Sequence, residues 1–511
     1  MDGGRRAAAR IFWLVAGLHL LAWTVVPLLV QPVPPLDVIE MRYWGHQWQL
    51  GYHKHPPLPA WVAEGSALAC GGHFWGVYLA SQLGMVACLW AVWRLGRELL
   101  SPWLALLGAC LLETLFWYTM CSVEYNNNVG MFPFWALAIF FFYRAIKTSC
   151  EAAPGVGPIG WWVATGVMLG LGMLSKYTMA VLAATVFLFL VLHPTARRTW
   201  RGVGPWLMIF VALAVFSPHL VWAIRHGMPS LGWASSRMPA GPGFLGHLLC
   251  PIVFVGSQLL VLGPMLLAIA PLTGLRWRLR RFEGSERFSR DFLLATTLGP
   301  FAIQVLMAGI GNVWILSAYG SQLWMFAGLT LLYCLELRPS AGAYRRAAIC
   351  CGAIGVAFVV GSAIHGVATP YVVHQTLRTH CPSRALATRV HALWDGRFAG
   401  PLPVIAGDWW LAGNVAFYGP TIPVIYGGSD LNRVDMSGRI TAWTDDEYLR
   451  RHGGIIVWNA ATCDGDTVIR LRQRFPKAEF PRPISVAWQT GARIPPLRVG
   501  VAVVPPAGVP R

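Results

Sequence analysis

The chain has 511 residues, of which 56% are hydrophobic and 12% charged, with a mean hydropathy of +0.52. That balance lies far from ordinary soluble composition and excludes a simple soluble domain. The formal net charge of +18 does not point to nucleic acid, because the cations sit in separate loops and form no basic stripe interleaved with aromatics.

Apolar runs that reach the roughly 17 to 22 residues needed to cross the hydrocarbon core recur along the first three quarters of the chain. The first, Ile11 to Val30, follows Arg5, Arg6 and Arg10. It is long and has no small-residue cleavage site before Pro32, so it reads as a retained anchor rather than a cleaved signal. Ten more follow, for about eleven in all. They are Val77 to Trp93, Trp103 to Thr119, a short run from Met131 to Tyr143, Trp161 to Leu174, Thr178 to Leu192, Trp206 to Trp222, Leu248 to Leu272, Phe292 to Ala308, Ile315 to Cys334 and Ala347 to His365.

Orientation follows from the cations. With the N-terminus in the cytoplasm, the inside loops hold clusters such as Arg94 and Arg97, Arg197, Arg198 and Arg201, and the run from Arg276 to Arg290, with Arg338, Arg345 and Arg346. The outside loops hold only Arg42, Lys54, Lys176, Arg225 and Arg237. This asymmetry predicts that the tail after Ala368 is extracytoplasmic.

The segment between the first two spans, Gln31 to Gly76, is too polar and proline-punctuated for a tight turn. Its stretch Ile39 to Trp48 has helical spacing, and Tyr43, Trp44 and Trp48 form an aromatic face suited to lying in the membrane interface. The Pro56-Pro57 pair is expected to end any helix there. The tail beyond about Pro370 loses the long apolar runs and predicts a small α/β domain. Val404 to Ala406 reads as a buried strand, Trp409 to Phe417 as a helix, and Val424 to Tyr426 and the "GGIIVWNA" stretch as further strands. The proline-rich closing segment reads as loop or an edge strand with a frayed end. Most cysteines sit in apolar runs as small hydrophobes. Cys381 and Cys463 fall in the tail, where an oxidising compartment would let them pair.

Chemistry is sought among the scarce acidic residues, 22 in all. Asp37 and Glu40 share a face if their segment is helical, as suits a general base on a sugar hydroxyl. Equally, Asp37 could cap the helix with Glu40 completing a capping box. In "GYHKHPPLPAW", Lys54 and His55 offer donors to an anionic leaving group, or Lys54 simply snorkels. "CSVEYNNN" puts Glu124 and Asn126 to Asn128 where a span emerges, and "GMLSKYT" puts Lys176 and Tyr177 between two spans. Ionisable groups at such depth suggest a site, although lysine and tyrosine also serve there as interfacial anchors.

The stretch "LDVIEMRYWGHQWQLGYHKHPPLPAWV" resembles the first luminal or periplasmic loop of the family 39 glycosyltransferases, with its acidic residues, aromatic helix and Lys/His-Pro-Pro-Leu run. "VEYNNN…PFWALAIFFFYRAI" and "GLGMLSKYT" are similar to the next two blocks of that family, in order, and "AGDWWLAGNVAFYGP" looks like the tail of its bacterial members. The resemblance covers roughly Ile11 to Leu337 and is to GT-C superfamily enzymes that include protein mannosyltransferases, aminoarabinose transferases of lipid A and galacturonic acid transferases of lipopolysaccharide core.

It implies a polytopic α-helical GT-C domain over residues 1 to 368, with a catalytic first external loop at 31 to 76 and a periplasmic α/β domain at 369 to 511. It also implies inverting transfer of a sugar from a polyprenyl phosphate to a glycolipid, glycan or protein in the bacterial cell envelope, with the enzyme in the inner membrane. The catalytic acid of the family matches Asp37 or Glu40. Many members have adjacent acidic residues where Val38 and Ile39 intervene here, and Glu40, with Arg42-Tyr43 after it, is the closer match for the base. Lys54, His55, Lys176 and Arg225 are expected at the donor phosphate, and Tyr43, Tyr52, Glu124, Asn126 and Tyr177 at the substrates. A divalent metal is left open: His46, His53, His55 and Glu40 are candidate ligands, but they show no helical pairing. The rival class is a transporter or flippase of lipid-linked sugars, which would carry ionisable residues at mid-membrane and broken helices in paired repeats.

Overall fold

The computed structural model describes residues 2–151, 159–273, 277–337, 340–428, 444–462 and 465–508. Cys463, and with it the Cys381–Cys463 pairing, lies outside the described residues, as do Arg276 and Arg338. The chain folds into two compact units, one of Met1–Pro27 with Gln49–Ser362 and one of Leu28–Trp48 with Ala363–Arg511.

The helices run in order from α1 (Asp2–Val30), α2 (Leu36–His46), α3 (Leu58–Ala69), α4 (Trp75–Leu99) and α5 (Pro102–Cys110) through α6 (Asn127–Glu151), α7 (Ile159–Ser175), α8 (Met179–Leu192), α9 (Pro194–Arg197), α10 (Gly204–Arg225) and α11 (Pro229–Ser236). They continue with α12 (Gly246–Thr273), α13 (Ser285–Ile310), α14 (Ala327–Cys334) and α15 (Ala341–Val372). Among the described residues seven helices are long and apolar enough to cross a membrane: α1, α4, α6, α10, α12, α13 and α15. Two further pairs of segments are bent by 85° and 83°, which makes nine if each pair is one span. Among the described residues the long apolar helices thus number seven to nine, against the about eleven apolar runs expected.

The departures have local causes. Before Pro194 the α region is disfavoured, and His193 is extended at ψ 125°, so the run Thr178 to Leu192 turns sharply into α9. Trp103 to Thr119 breaks into short 3₁₀ turns after Cys110. Ile315 to Cys334 holds one turn of 3₁₀ helix and the eight-residue α14 rather than a continuous span. The short run at Met131 belongs to a 25-residue helix, because polar residues at both ends of α6 continue its hydrogen bonding. In the segment between the first two apolar runs the Pro56-Pro57 pair opens a helix instead of only closing one: Pro57 stands at the cap of α3, where a missing N–H costs nothing.

Large apolar side chains such as Phe210 and Leu260 are 68% and 81% exposed, as expected of surfaces that meet lipid. Between helices, small residues allow close approach: a Cβ on Gly166 of α7 would lie 2.5 Å from the Met208 carbonyl oxygen of α10, and one on Gly170 would lie 2.6 Å from Val215 Cβ.

One polar cluster inside the spans is absent from the sequence-based expectations. His19 of α1 is 5% exposed, and its Nδ1 lies 2.9 Å from the Glu113 carboxylate while Nε2 is 3.1 Å from Gln82 Oε1. The Ser122 hydroxyl closes the group, 3.2 Å from Gln82 and donating to the Thr119 carbonyl at 2.6 Å. Such groups are costly in hydrocarbon unless paired, and the pairing here joins residues 94 positions apart.

The tail contains α16 (Ser383–Asp395), β1 (Val404–Asp408), α17 (Trp409–Tyr418), β2 (Val424–Gly428), α18 (Asp446–His452), β3 (Gly454–Asn459), α19 (Gly465–Arg474), β4 (Ile484–Val486) and β5 (Leu497–Val504). The sheet order is β2-β1-β3-β5-β4, parallel across β2, β1 and β3 and antiparallel from β3 through β5 to β4. The closing strand is thus interior, contrary to the edge expected from its prolines, which flank Leu497–Val504 without interrupting its hydrogen bonds. Asp408 caps α17 by accepting from the Leu411 N–H at 3.0 Å, a contact of about 1 kcal/mol.

Gly500 pairs with Trp458 across β5 and β3, and a Cβ there would lie 2.1 Å from the indole. Gly500→Val is therefore expected to destabilise the tail by about 1–3 kcal/mol. Thermal unfolding and limited proteolysis of the full chain in detergent check this, and an unchanged melting profile would refute it.

Candidate active site

The predicted acidic residues lie on α2, in the unit that includes the tail. Pro35 occupies the capping position of that helix and makes no side-chain cap, so Asp37 sits within the first turn and is not the cap. Glu40 is one turn further and 6% exposed. The helix spans Leu36–His46, and Trp48 follows it in a left-handed conformation at φ 47°.

Of the aromatic face expected to lie in the interface, Tyr43 and Trp44 are packed on α17, while Trp48 is 52% exposed. Tyr43 and Trp44 lie 6.4 and 6.0 Å from the Trp409 ring centroid, and the Arg42 guanidinium lies 4.6 Å from that of Phe417. A Cβ on Gly413 would come within 2.5 Å of Ile39, so the two backbones approach as closely as a glycine permits. The "AGDWWLAGNVAFYGP" stretch thus supplies the platform on which α2 is held. Burial pushes the Tyr43 phenol well above its ordinary range, with Glu40 adding to the shift, so Tyr43 remains a protonated donor.

The remaining predicted residues belong to the membrane unit. The loop from Gln49 to Pro57 is tied down at three carbonyls: the Trp61 indole donates to the Gln49 carbonyl at 2.9 Å, His219 Nδ1 lies 2.8 Å from the Leu50 carbonyl, and the Ser230 hydroxyl donates to the Tyr52 carbonyl at 2.9 Å. The Tyr52 N–H closes a turn onto the His55 carbonyl at 3.1 Å, and its hydroxyl accepts from the Gln49 N–H at 3.2 Å. Tyr52 is thereby fully buried.

From that turn the Lys54 ammonium lies 4.7 Å from the Trp233 ring centroid, which the Arg237 guanidinium approaches at 4.8 Å and the His53 ring at 5.6 Å. Lys176 is 8% exposed, donates to Asn128 Oδ1 and lies 4.5 Å from the Tyr319 ring centroid. Burial, reinforced by the charges of Lys176, Lys54, His53 and Arg237, holds the His55 imidazole well below its usual 6.5. Three permanent cations therefore surround a neutral histidine, an arrangement that favours an anion with oxygens at several donors.

The "NNN" turn supports this group from below. Asn126 Oδ1 accepts from the Asn128 and Val129 N–H groups at 2.9 and 3.3 Å, and Asn127 Nδ2 donates to the Ser175 carbonyl at 2.8 Å, next to Lys176. Glu124 ends the 3₁₀ turn just before. The Tyr177 hydroxyl lies 2.7 Å from His219 Nε2. Arg225 lies exposed in the last turn of α10 and is not among the charges acting on His55.

Arg237, Trp233, Tyr319 and His219 were not singled out from sequence, whereas Asn128 was named there with the "NNN" turn. Arg237 had one legible signal, its place among the few cations of the loops expected to be external; the others had none, since their roles depend on partners in distant segments. Among the described residues no three of the histidine, cysteine, aspartate and glutamate side chains gather as a metal site.

The depressed His55 value has a sign. The unfolded chain takes up the proton near pH 6.5 and the folded chain only well below it, so folding stability is complete above about pH 6.5 and declines as pH falls through that value. His55→Gln should flatten the decline between pH 7 and pH 5, read by thermal unfolding in detergent, and an unchanged slope would contradict the assignment.

Residues 54–222 match the family described as dolichyl-phosphate-mannose-protein mannosyltransferase. That stretch includes Lys54, His55, Glu124, Lys176 and His219. The chain is 24% identical over 446 residues to the lipopolysaccharide core galacturonosyltransferase RgtA of Rhizobium johnstonii, covering 80% of this chain and 81% of that one. It is 22% identical over 297 residues to the lipid A galacturonosyltransferase RgtD of the same organism, covering 56% and 58%. The crystal structure of ArnT from Cupriavidus metallidurans bound to undecaprenyl phosphate shares the fold with a TM-score of 0.62 at 14% identity, over 98% of this chain and 99% of that one. With seven long apolar helices among the described residues and that shared fold, the chain is a multi-pass membrane protein with an ArnT-like fold, and the relatives it resembles are glycosyltransferases.

Proposed function

We propose that the chain transfers galacturonic acid from a polyprenyl phosphate to a sugar hydroxyl of lipid A or lipopolysaccharide core, at the periplasmic face of a bacterial inner membrane. The observation that carries this reading is the group formed by Lys54, Lys176 and Arg237 around the neutral His55. In such a donor the phosphate is a monoanion, and it gains a second charge as the anomeric carbon–oxygen bond breaks. Fixed cations in a partly dehydrated pocket stabilise that gain more than the ground state.

The acceptor oxygen attacks the anomeric carbon from the opposite face and inverts it, while polyprenyl phosphate leaves with the bonding electron pair. A carboxylate on α2, Glu40 or Asp37, takes the acceptor proton. Tyr43, Tyr52, Glu124, Asn126 and Tyr177 are assigned to orienting the substrates, and Arg225 to secondary charge balance. The cation asymmetry of the loops supports a cytoplasmic N-terminus and a periplasmic tail beyond residue 368. The two galacturonosyltransferase relatives support the choice of sugar and acceptor.

The test is radiolabelled polyprenyl phosphate galacturonic acid offered to purified protein in liposomes with lipid A or core oligosaccharide. A new alkali-stable glycosidic bond supports the reading. Label that crosses the bilayer without forming one would instead favour a flippase, and mass spectrometry of envelope glycolipids from cells with and without the chain identifies the natural product.

A further inference from the structure

We infer that His219 is a positioning residue for the donor phosphate, joining the two segments that carry its cations; the inference rests on the reaction proposed above. His219 is 1% exposed on α10, and its imidazole spans two groups that the sequence keeps far apart. Nδ1 is 2.8 Å from the Leu50 carbonyl and Nε2 is 2.7 Å from the Tyr177 hydroxyl. A carbonyl can only accept, so Nδ1 carries a proton, and in the neutral ring Nε2 then accepts from the Tyr177 O–H. One tautomer satisfies both partners.

Each partner leads directly to a cation. Leu50 opens the turn closed by Tyr52 and His55, on which Lys54 projects. Tyr177 follows Lys176 in the chain, and the Lys176 backbone N–H is already spent on the Gly172 carbonyl at 2.9 Å. The neighbouring Trp222 holds the loop from one side: a Cβ on Gly51 would lie 2.2 Å from its ring, and that ring stacks on His219 with centroids 5.9 Å apart at 19°. The histidine acts through its two hydrogen-bonded partners. It sets the distance between the Lys54 turn and the Lys176 turn, so the phosphate meets both without reorganisation of the site on binding.

The imidazole can be replaced one nitrogen at a time. Asn approximates Nδ1 and keeps the bond to Leu50, Gln approximates Nε2 and keeps the bond to Tyr177, and Ala keeps neither. In full-length protein in liposomes, His219→Ala is expected to weaken polyprenyl phosphate binding and raise the donor KM by roughly tenfold or more, with a smaller change in kcat. His219→Asn and His219→Gln should each recover part of the loss. Tyr177→Phe should give a partial loss that does not add to that of His219→Ala, as expected for coupled groups.

Binding of polyprenyl phosphate alone, by native mass spectrometry, reads the inference independently of turnover. Wild-type affinity and donor KM in folded His219→Ala would overturn it, and so would a fall in melting temperature with both unchanged. Wild-type protein that binds polyprenyl phosphate but transfers no sugar would overturn the proposed reaction, while the ratio of affinities between wild type and variant would still decide the role of His219.

Discussion

Glu40→Gln is expected to lower sugar transfer by about 10²–10⁴-fold, the range for removal of a general base, with little change in donor binding. The substitution preserves shape and hydrogen-bonding capacity while removing the charge that accepts the acceptor proton. Since Glu40 is 6% exposed, water cannot readily replace it as base. Asp37→Asn provides the comparison. The sequence left both residues open for the role, and Asp37 lies in the first turn of α2, a helix turn before Glu40. A much smaller loss for Asp37→Asn assigns the proton transfer to Glu40, and the reverse assigns it to Asp37. Initial rates with saturating acceptor, on protein matched for melting temperature, are the measurement. Near-wild-type rates in both variants would remove the carboxylate from the mechanism.

Lys54→Met and Lys176→Met are each expected to reduce kcat/KM for the donor by about 10²–10³-fold, comparable to the loss of one preorganised charge-stabilising group. Lys176 is the more sensitive case, because it is 8% exposed and its ammonium is held by Asn128 and the Tyr319 ring. Arginine at 54 should recover part of the activity, since the Trp233 face accepts a guanidinium as well as an ammonium. A second readout is independent of catalysis. Both lysines lower the affinity of His55 for a proton, so removing either should move its titration upward toward 6.5, observable by histidine NMR or by the acid limb of the unfolding curve. Unaltered donor kinetics in both variants would contradict the phosphate role, whatever the histidine does.

The membrane architecture was readable because an apolar helix satisfies its own backbone and advertises itself by length alone. What misled was continuity: a run such as Ile315 to Cys334 has the hydropathy of a span but is folded as turns and a short helix. In the tail, β1, α17, β2 and β3 were legible from alternation of apolar runs with turn residues, whereas the interior position of β5 was not, since prolines beside a strand say nothing about which neighbours it pairs with. The aromatic face of α2 had the composition of an interfacial helix, and only the presence of α17 turned it into core.

The amino-acid sequence by itself determined that the chain crosses a membrane, that an α/β tail follows, and which short segments hold the scarce charges of the loops between spans. These are properties of local composition and period, and they need no distant partner. The tertiary structure alone decided that Lys54, Lys176 and Arg237 act on one histidine, that α2 packs on α17, that His19 meets Glu113 and that His219 bridges Leu50 to Tyr177. Coulombic and hydrogen-bond energies depend on separation in space, and for residues 94 or 169 positions apart that separation is set by how the helices pack.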